Sequence, residues 1–202
     1  MKKEYIWMIL LFGGIWGLSE VILGGLFYAN NLKFASIPLT IIAIGILSYS
    51  RKYISIPGSA TLIGALAMLF KFLNEPQFKC HVLAILFLGV CFDACFSLMK
   101  RQNSSIKAAI ATYGGYLFFA LVNTYIAQNP FWIKGGLSKI ASYVLISGTI
   151  TAIGAAIISP IAINLAEQVK NKEFKKIALL PRAACCLMWL FSLGIFLNTL
   201  IK

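Results

Sequence analysis

The sequence predicts an all-α integral membrane protein, and three observations carry that prediction. Of 202 residues, 60% are hydrophobic and only 12% are charged, about half the charged share of a soluble domain. Apolar runs of about 20 residues, the length that crosses a bilayer as a helix, recur along the chain. The net charge of +12 sits in short polar stretches between those runs, as the positive-inside rule expects. No basic stripe with base-stacking aromatics is present, so the charge reports topology and not a nucleic-acid partner.

Seven apolar segments follow in order, at roughly 5–28, 34–50, 57–74, 81–99, 107–127, 140–165 and 183–201. The first follows Met1–Glu4. It is too long for a signal-peptide core and lacks an A-x-A-like cleavage site, so it is expected to stay as a helix. The second and third are short and are separated by Arg51–Lys52 and Pro57–Gly58. The sixth contains Gly148, Gly154 and Pro160, and Pro160 is a candidate kink. The whole chain, 1–202, is expected to be one polytopic domain. Its core covers 5–166, and a seventh helix at about 183–201 is appended.

Basic residues set the expected orientation. Lys2, Lys3, Arg51, Lys52, Lys100, Arg101, Lys107 and the run from Lys170 to Arg182 fall on one side. The sparser set Lys33, Lys79, Lys134, Lys139 and Lys202 falls on the other. This bias puts the N-terminus in the cytoplasm and the C-terminus outside, in a cell (inner) membrane. Three loops then face outward: Ala29–Lys33, Asn74–Cys80 and Gln128–Lys139. In the third, Asn129-Pro130 and Gly135-Gly136 mark turns. Phe131 and Trp132 there read either as an interfacial anchor or as a lid over a ligand.

The residues able to carry chemistry are few. Gly13–Gly25 contains Glu20 within an apolar run. A carboxylate at membrane depth is a functional-site candidate because its charge is costly to solvate in hydrocarbon. Gly13 and Gly17 lie on the same helix face and suit the docking of another helix. Lys71 is expected at the depth of Glu20. The two make either a buried ion pair that fixes helix register or the wall of an outward-open pocket. Asp93 has no obvious cation at its depth. It is read as protonated or as reaching the interface near Lys100 and Arg101.

Cys80 and His81, the chain's one histidine, are expected at the outer mouth of the fourth segment. They offer one soft and one borderline ligand, too few for a closed protein metal cage. They would serve a metal that arrives already chelated. Cys91, Cys95, Cys185 and Cys186 read as packing thiols. No G-x-S-x-G, H-E-x-x-H or Walker A motif occurs, so no catalytic role and no intrinsic cofactor are expected.

A cytoplasmic N-terminus, six core segments, a small-residue first helix and outer loops together resemble the substrate-binding S components of energy-coupling factor (ECF) transporters. The resemblance covers about residues 5–166. It implies a six-helix bundle that takes up a vitamin or micronutrient and works with ECF transmembrane and ATPase subunits. Gly13-x-x-x-Gly17 stands where that family carries its small-residue docking pattern. Cys80 looks like the third-loop cysteine with which BtuM-type cobalamin S components ligate cobalt, which implies cobalamin as the bound substrate. The substrate-binding set expected on this reading is Glu20, Lys71, Cys80, His81, Asn129 and Trp132. Two other classes stay open: a membrane-embedded enzyme acting on a lipid or small molecule, and a structural or assembly subunit whose glycine-rich first helix is a docking face.

Overall fold

A computed structural model describes residues 3–32, 34–70, 79–173, 186 and 189–190. Every element among them is helical. In chain order they are α1 (Lys3–Ala29), α2 (Ser36–Arg51), α3 (Ser59–Phe70), α4 (Lys79–Leu98), α5 (Ser104–Leu121), α6 (Pro130–Ser142) and α7 (Thr149–Glu173). Two π-helical turns, Val122–Ile126 and Tyr143–Gly148, extend α5 and join α6 to α7. The breaks follow local chemistry. Asn31 takes a positive φ of 53° between α1 and α2, and Gly58 takes φ 87° ahead of α3, conformations that asparagine and glycine tolerate best.

Three helical stretches, Glu4–Phe27, Ser104–Ile126 and Pro130–Lys170, are long and apolar enough to cross a membrane. Ile150, Ile153, Ile157 and Ile161 line one exposed side of α7 at a spacing that keeps them on one face. An apolar stripe of that kind suits hydrocarbon and not water. Both observations are consistent with a membrane protein.

Six of the helices close a ring. α1 packs on α3, α3 on α4, α4 on α5, α5 on α7, α7 on α2, and α2 back on α1. The inside of the ring is apolar, with Trp16, Ile44, Leu47, Ile63 and Phe92 almost wholly buried. Gly13 and Gly17 meet α3. A Cβ added at Gly13 would come within 2.7 Å of Leu66 Cβ, and one at Gly17 within 2.5 Å of the Phe70 ring. The close approach these glycines permit is therefore taken up by a helix of the same chain. α4 meets α3 in the same manner, since a Cβ at Gly89 would lie 2.7 Å from the Ala60 carbonyl oxygen. Small residues at helix contacts are the usual route to tight packing where no hydrophobic effect drives association.

The sequence offers Asp93 no cation at its depth, but the fold supplies one from α2. Arg51 Nη1 lies 3.2 Å from Asp93 Oδ1. It also donates to the Ile56 carbonyl at 3.1 Å, while Nη2 donates to Ser97 Oγ at 3.2 Å. The other carboxylate oxygen of Asp93 accepts the Thr61 backbone N–H at 2.6 Å and the Thr61 hydroxyl at 2.9 Å. Asp93, on α4, thus caps the first turn of α3 from outside. Arg51 sits at the end of α2 in sequence, and only the ring brings α2, α3 and α4 together there. At the same end, Lys52 pairs with Glu167 of α7, and Lys170 Nζ donates to the Lys52 carbonyl at 3.1 Å.

Two segment readings change. The stretch Gln128–Lys139 was expected as a loop, yet Pro130–Ser142 is helical. Asn129 caps it, its side chain accepting Phe131 N–H at 3.0 Å, and Pro130 occupies the first turn, where its missing N–H costs nothing. The turn expected at Gly135-Gly136 is instead a kink inside α6, with Gly136 at φ 55° and ψ −154°. Of the predicted seventh span, only Cys186, Trp189 and Leu190 are described. Trp189 donates to the Leu10 carbonyl at 3.3 Å and meets the Phe70 ring edge-on at 4.9 Å between centroids. The rest of that span lies outside the described residues.

Two stability outcomes follow. Asp93→Ala leaves the half-buried Arg51 guanidinium without its carboxylate and uncaps α3, a loss of at most the roughly 3–5 kcal/mol that breaking a fully buried pair costs. Asp93→Asn, which keeps an acceptor for Thr61 but not the charge, should lose less, and equal thermal midpoints for both variants would refute the ion pair as a stabilising contact. Gly17→Ala forces a methyl against the buried Phe70 ring and should cost about 1–3 kcal/mol, the range for overpacking. Gly25→Ala, which meets open space, is the matched control and should be neutral or slightly stabilising in the same melting assay.

Candidate functional site: a carboxylate in an aromatic cavity

Inside the ring, at the end opposite Arg51, lies a cavity of about 60 Å³. Trp16 and Glu20 of α1, Ser36 and Thr40 of α2, Ala84 and Leu88 of α4, Gly115, Tyr116 and Phe119 of α5, and Tyr143 all contribute to its wall. The helices reach it by simple spacing. Trp16 and Glu20 are four apart and so share a face of α1. Tyr116 and Phe119 are three apart on α5, and Ser36 and Thr40 begin α2.

Glu20 is 7% exposed, and Trp16 Nε1 donates to its Oε1 at 3.3 Å. Tyr116 is held from behind. Thr151 Oγ1 donates to the Ser147 carbonyl at 2.7 Å, so its single hydroxyl hydrogen is used. The Tyr116 hydroxyl, 2.8 Å from the same oxygen, is then the donor to Thr151. Tyr113 reaches Thr149 in the same fashion at 2.7 Å, and Thr149 donates in turn to the Leu145 carbonyl.

These threonines account for the π-helical turn that carries Tyr143. A wider turn leaves carbonyls short of their usual partners, and hydroxyls bonding back four residues satisfy them while bending the helix. The turn at Val122–Ile126 is built alike. Asn123 Nδ2 donates to the Phe119 carbonyl at 2.9 Å and Thr124 Oγ1 to the Ala120 carbonyl at 2.8 Å. Among the described residues Asn123 Oδ1 has no hydrogen-bond partner although it is buried.

The predicted site residues separate. Glu20 lies in the cavity wall. Trp132 is 7% exposed and packs edge-on against Phe119 and Tyr143, with centroids 5.7 and 5.1 Å apart. It therefore backs the aromatic wall and does not line it. Phe131, its neighbour, is 67% exposed with the Lys139 ammonium over its ring, which suits an interfacial anchor. The pair read as a unit from sequence is split by the helix into an outward and an inward residue. Asn129 serves as the α6 cap. Cys80 and His81 fall in the first turn of α4, and what their side chains do lies outside the described residues, as does Lys71. The expected Glu20–Lys71 pairing therefore falls outside the description. The cavity that holds Glu20 is walled, among the described residues, by α1, α2, α4, α5 and the π-helical turn that carries Tyr143.

Sequence reasoning missed Trp16, Tyr116, Phe119 and Tyr143. The W-x-x-x-E spacing of Trp16 and Glu20 was a usable signal. The tyrosines were not distinguishable from ordinary apolar packing until α5 and the π-helical turn met. Among the described residues no three His, Cys, Asp or Glu side chains gather as a metal-ligating group.

The hydroxyl relay gives a direct check on this wall. Tyr116→Phe should lower stability by about 0.5–1.5 kcal/mol, the net worth of one buried hydrogen bond. Thr151→Val should cost more in the same melt, because it strands the Tyr116 hydroxyl and also removes the Thr151 bond to the Ser147 carbonyl. The reverse order would show that the relay is not as drawn.

No protein-family model, no curated protein and no solved structure matches this chain.

Proposed function

We propose that this chain is a solute-binding membrane subunit for the uptake of a small molecule, with the Glu20 cavity as its binding site. The observation that carries the reading is a partly open cavity whose described wall holds one carboxylate and several aromatic rings, at the opposite end of the helix ring from the basic residues Arg51, Lys52 and Lys170. By the positive-inside rule that basic end faces the cytoplasm. The cavity then lies toward the outer face, where an uptake protein meets its solute. Pockets that combine apolar walls with a few placed polar groups are the usual form of a small-molecule site. The ring of six helices suits the S-component likeness drawn from the sequence, and on that reading ECF transmembrane and ATPase subunits would drive the transport step.

The substrate implied by the sequence is a corrinoid ligated by Cys80, whose side chain lies outside the described residues. A docking or assembly role is the weaker alternative, because Gly13 and Gly17 already receive α3. Among the described wall residues an enzyme reading has only Glu20 as an acid.

Mass spectrometry of small molecules released from the purified protein tests the proposal. The native chain should release one stoichiometric solute, and Gly115→Val should release little. Its added side chain enters the wall beside Leu88, whose Cδ1 is 3.2 Å from the position of a Cβ. Thermal melting separates a filled cavity from a misfolded variant. A native protein that releases nothing, and cells that accumulate no solute when expressing it, would overturn the reading. A cobalt-corrinoid absorption spectrum lost in Cys80→Ser would identify cobalamin as the substrate.

A further inference from the structure

We propose that the short connection between α4 and α5 binds the headgroup of an anionic phospholipid, with Lys100, Arg101 and Lys107 supplying the charge and Leu98 entering the acyl layer beside it. This face lies away from the Glu20 cavity, and its role does not depend on any solute. The connection is at the basic end of the ring, because Ser97, next to Leu98 in α4, accepts from Arg51 Nη2 at 3.2 Å. It is a tight turn. Lys100 N–H donates to the Leu98 carbonyl at 3.1 Å and Gln102 N–H to the Met99 carbonyl at 3.2 Å. α5 begins at Ser104, so Lys100 and Arg101 are carried on the turn itself and Lys107 one helical turn beyond it.

The charges there are not neutralised within the fold. At this end Arg51 pairs with Asp93 and Lys52 with Glu167, whereas none of Lys100, Arg101 and Lys107 meets a carboxylate among the described residues. Lys100 and Arg101 are exposed. Lys107 is half-buried and holds its ammonium 5.5 Å from the centre of the Phe96 ring, which is itself stacked on Phe92 at 4.1 Å. Its apolar stem is covered while its charge stays at the rim, the usual posture of a lysine at a membrane surface.

Apolar neighbours decide the kind of anion. Leu98 is 81% exposed, and Ile106 and Ile110, four apart on α5 and so on one face, are each 44% exposed. A soluble anion would leave these side chains in water. A phospholipid supplies phosphate oxygens to the cations and acyl chains to the leucine and isoleucines. Tyr49 and Tyr53, whose hydroxyls lie 3.3 Å apart beside Arg51, are of the residue type that gathers at headgroup depth. Arg101 can take two phosphate oxygens with its planar fork, while Lys100 and Lys107 act as point charges. A zwitterionic lipid carries the same phosphate, but its own ammonium cancels the charge. By the positive-inside rule this end faces the cytoplasmic leaflet, whose anionic lipids attract basic segments beside a span.

The test uses the full chain in nanodiscs of equal parts phosphatidylglycerol and phosphatidylcholine. Native mass spectrometry of the released protein counts the lipids that stay bound. The native chain should retain phosphatidylglycerol in several-fold preference. Lys100→Gln/Arg101→Gln should cut that preference by about threefold or more, from the attraction of each cation to an anionic surface. Lys134→Gln/Lys139→Gln removes the same charge from α6, at the opposite end, and should leave the preference unchanged. Raising salt from about 0.05 M to about 0.5 M before release should lower the native preference, because exposed charges are then screened. If the Lys100→Gln/Arg101→Gln protein melts below the native chain, Lys107→Gln decides in its place, with a smaller drop expected. Equal retention of the two lipids by the native chain would overturn the proposal and leave this turn as a surface for an acidic protein. So would a preference that ignores salt, one that survives Lys100→Gln/Arg101→Gln, or one that falls as far in Lys134→Gln/Lys139→Gln.

Discussion

The buried Asp93 carboxylate holds three helices at one end of the ring. One oxygen takes the Arg51 guanidinium of α2, and the other takes the backbone N–H and hydroxyl of Thr61 in the first turn of α3. A helix N-terminus leaves several N–H groups without partners, and an anion placed there both satisfies them and complements the helix dipole. Arg51 neutralises that anion and ties down the α2–α3 connection through the Ile56 carbonyl. Buried ion pairs rarely add much net stability over an apolar replacement, but removing one partner is severe. The arrangement therefore reads as a constraint on helix register. With α2, α3 and α4 locked at this end, the opposite ends of α2 and α4 are positioned to face Glu20 across the cavity.

Elsewhere the ring is held by close backbone approach. Gly13, Gly17 and Gly89 let α1, α3 and α4 come together at distances no side chain would allow. Ser48 donates to Ser159 at 2.8 Å between α2 and α7. Such contacts suit helices in hydrocarbon, where packing and interhelical hydrogen bonds replace the hydrophobic effect. On α1, Gly13 and Gly17 make this approach to α3.

The cavity departs from this regular packing. Both π-helical turns lie beside it in sequence, one following Phe119 and one beginning at Tyr143. Each is accompanied by polar side chains that bond back to carbonyls four residues earlier. Widened turns of this type often occur at functional sites. Here one of them rotates Tyr143 to meet Tyr116 and Phe119, with Trp132 wedged behind. The result is an aromatic wall opposite a carboxylate, held by hydroxyl relays that reach away from the cavity.

Composition and period by themselves determined the helical class, the apolar segments that became α1 to α5 and α7, and the standing of Glu20 as a residue of interest. Those features are local: run length, the cost of a charge in an apolar run, and side chains four apart on a helix. The tertiary structure decided what no single segment contains. Arg51 and Asp93 are 42 positions apart, and nothing in either segment names the other. The run at Gln128–Lys139 looked like a loop because turn-forming dipeptides dominate it. An asparagine cap, a first-turn proline and burial of Trp132 outweigh them, and Gly136 absorbs the turn as a kink. The partners of Glu20 across the cavity come from α2, α4, α5 and a π-helical turn, elements that are neighbours only because the ring closes. Helical period tells which face a residue occupies, and only the closed packing tells what that face meets.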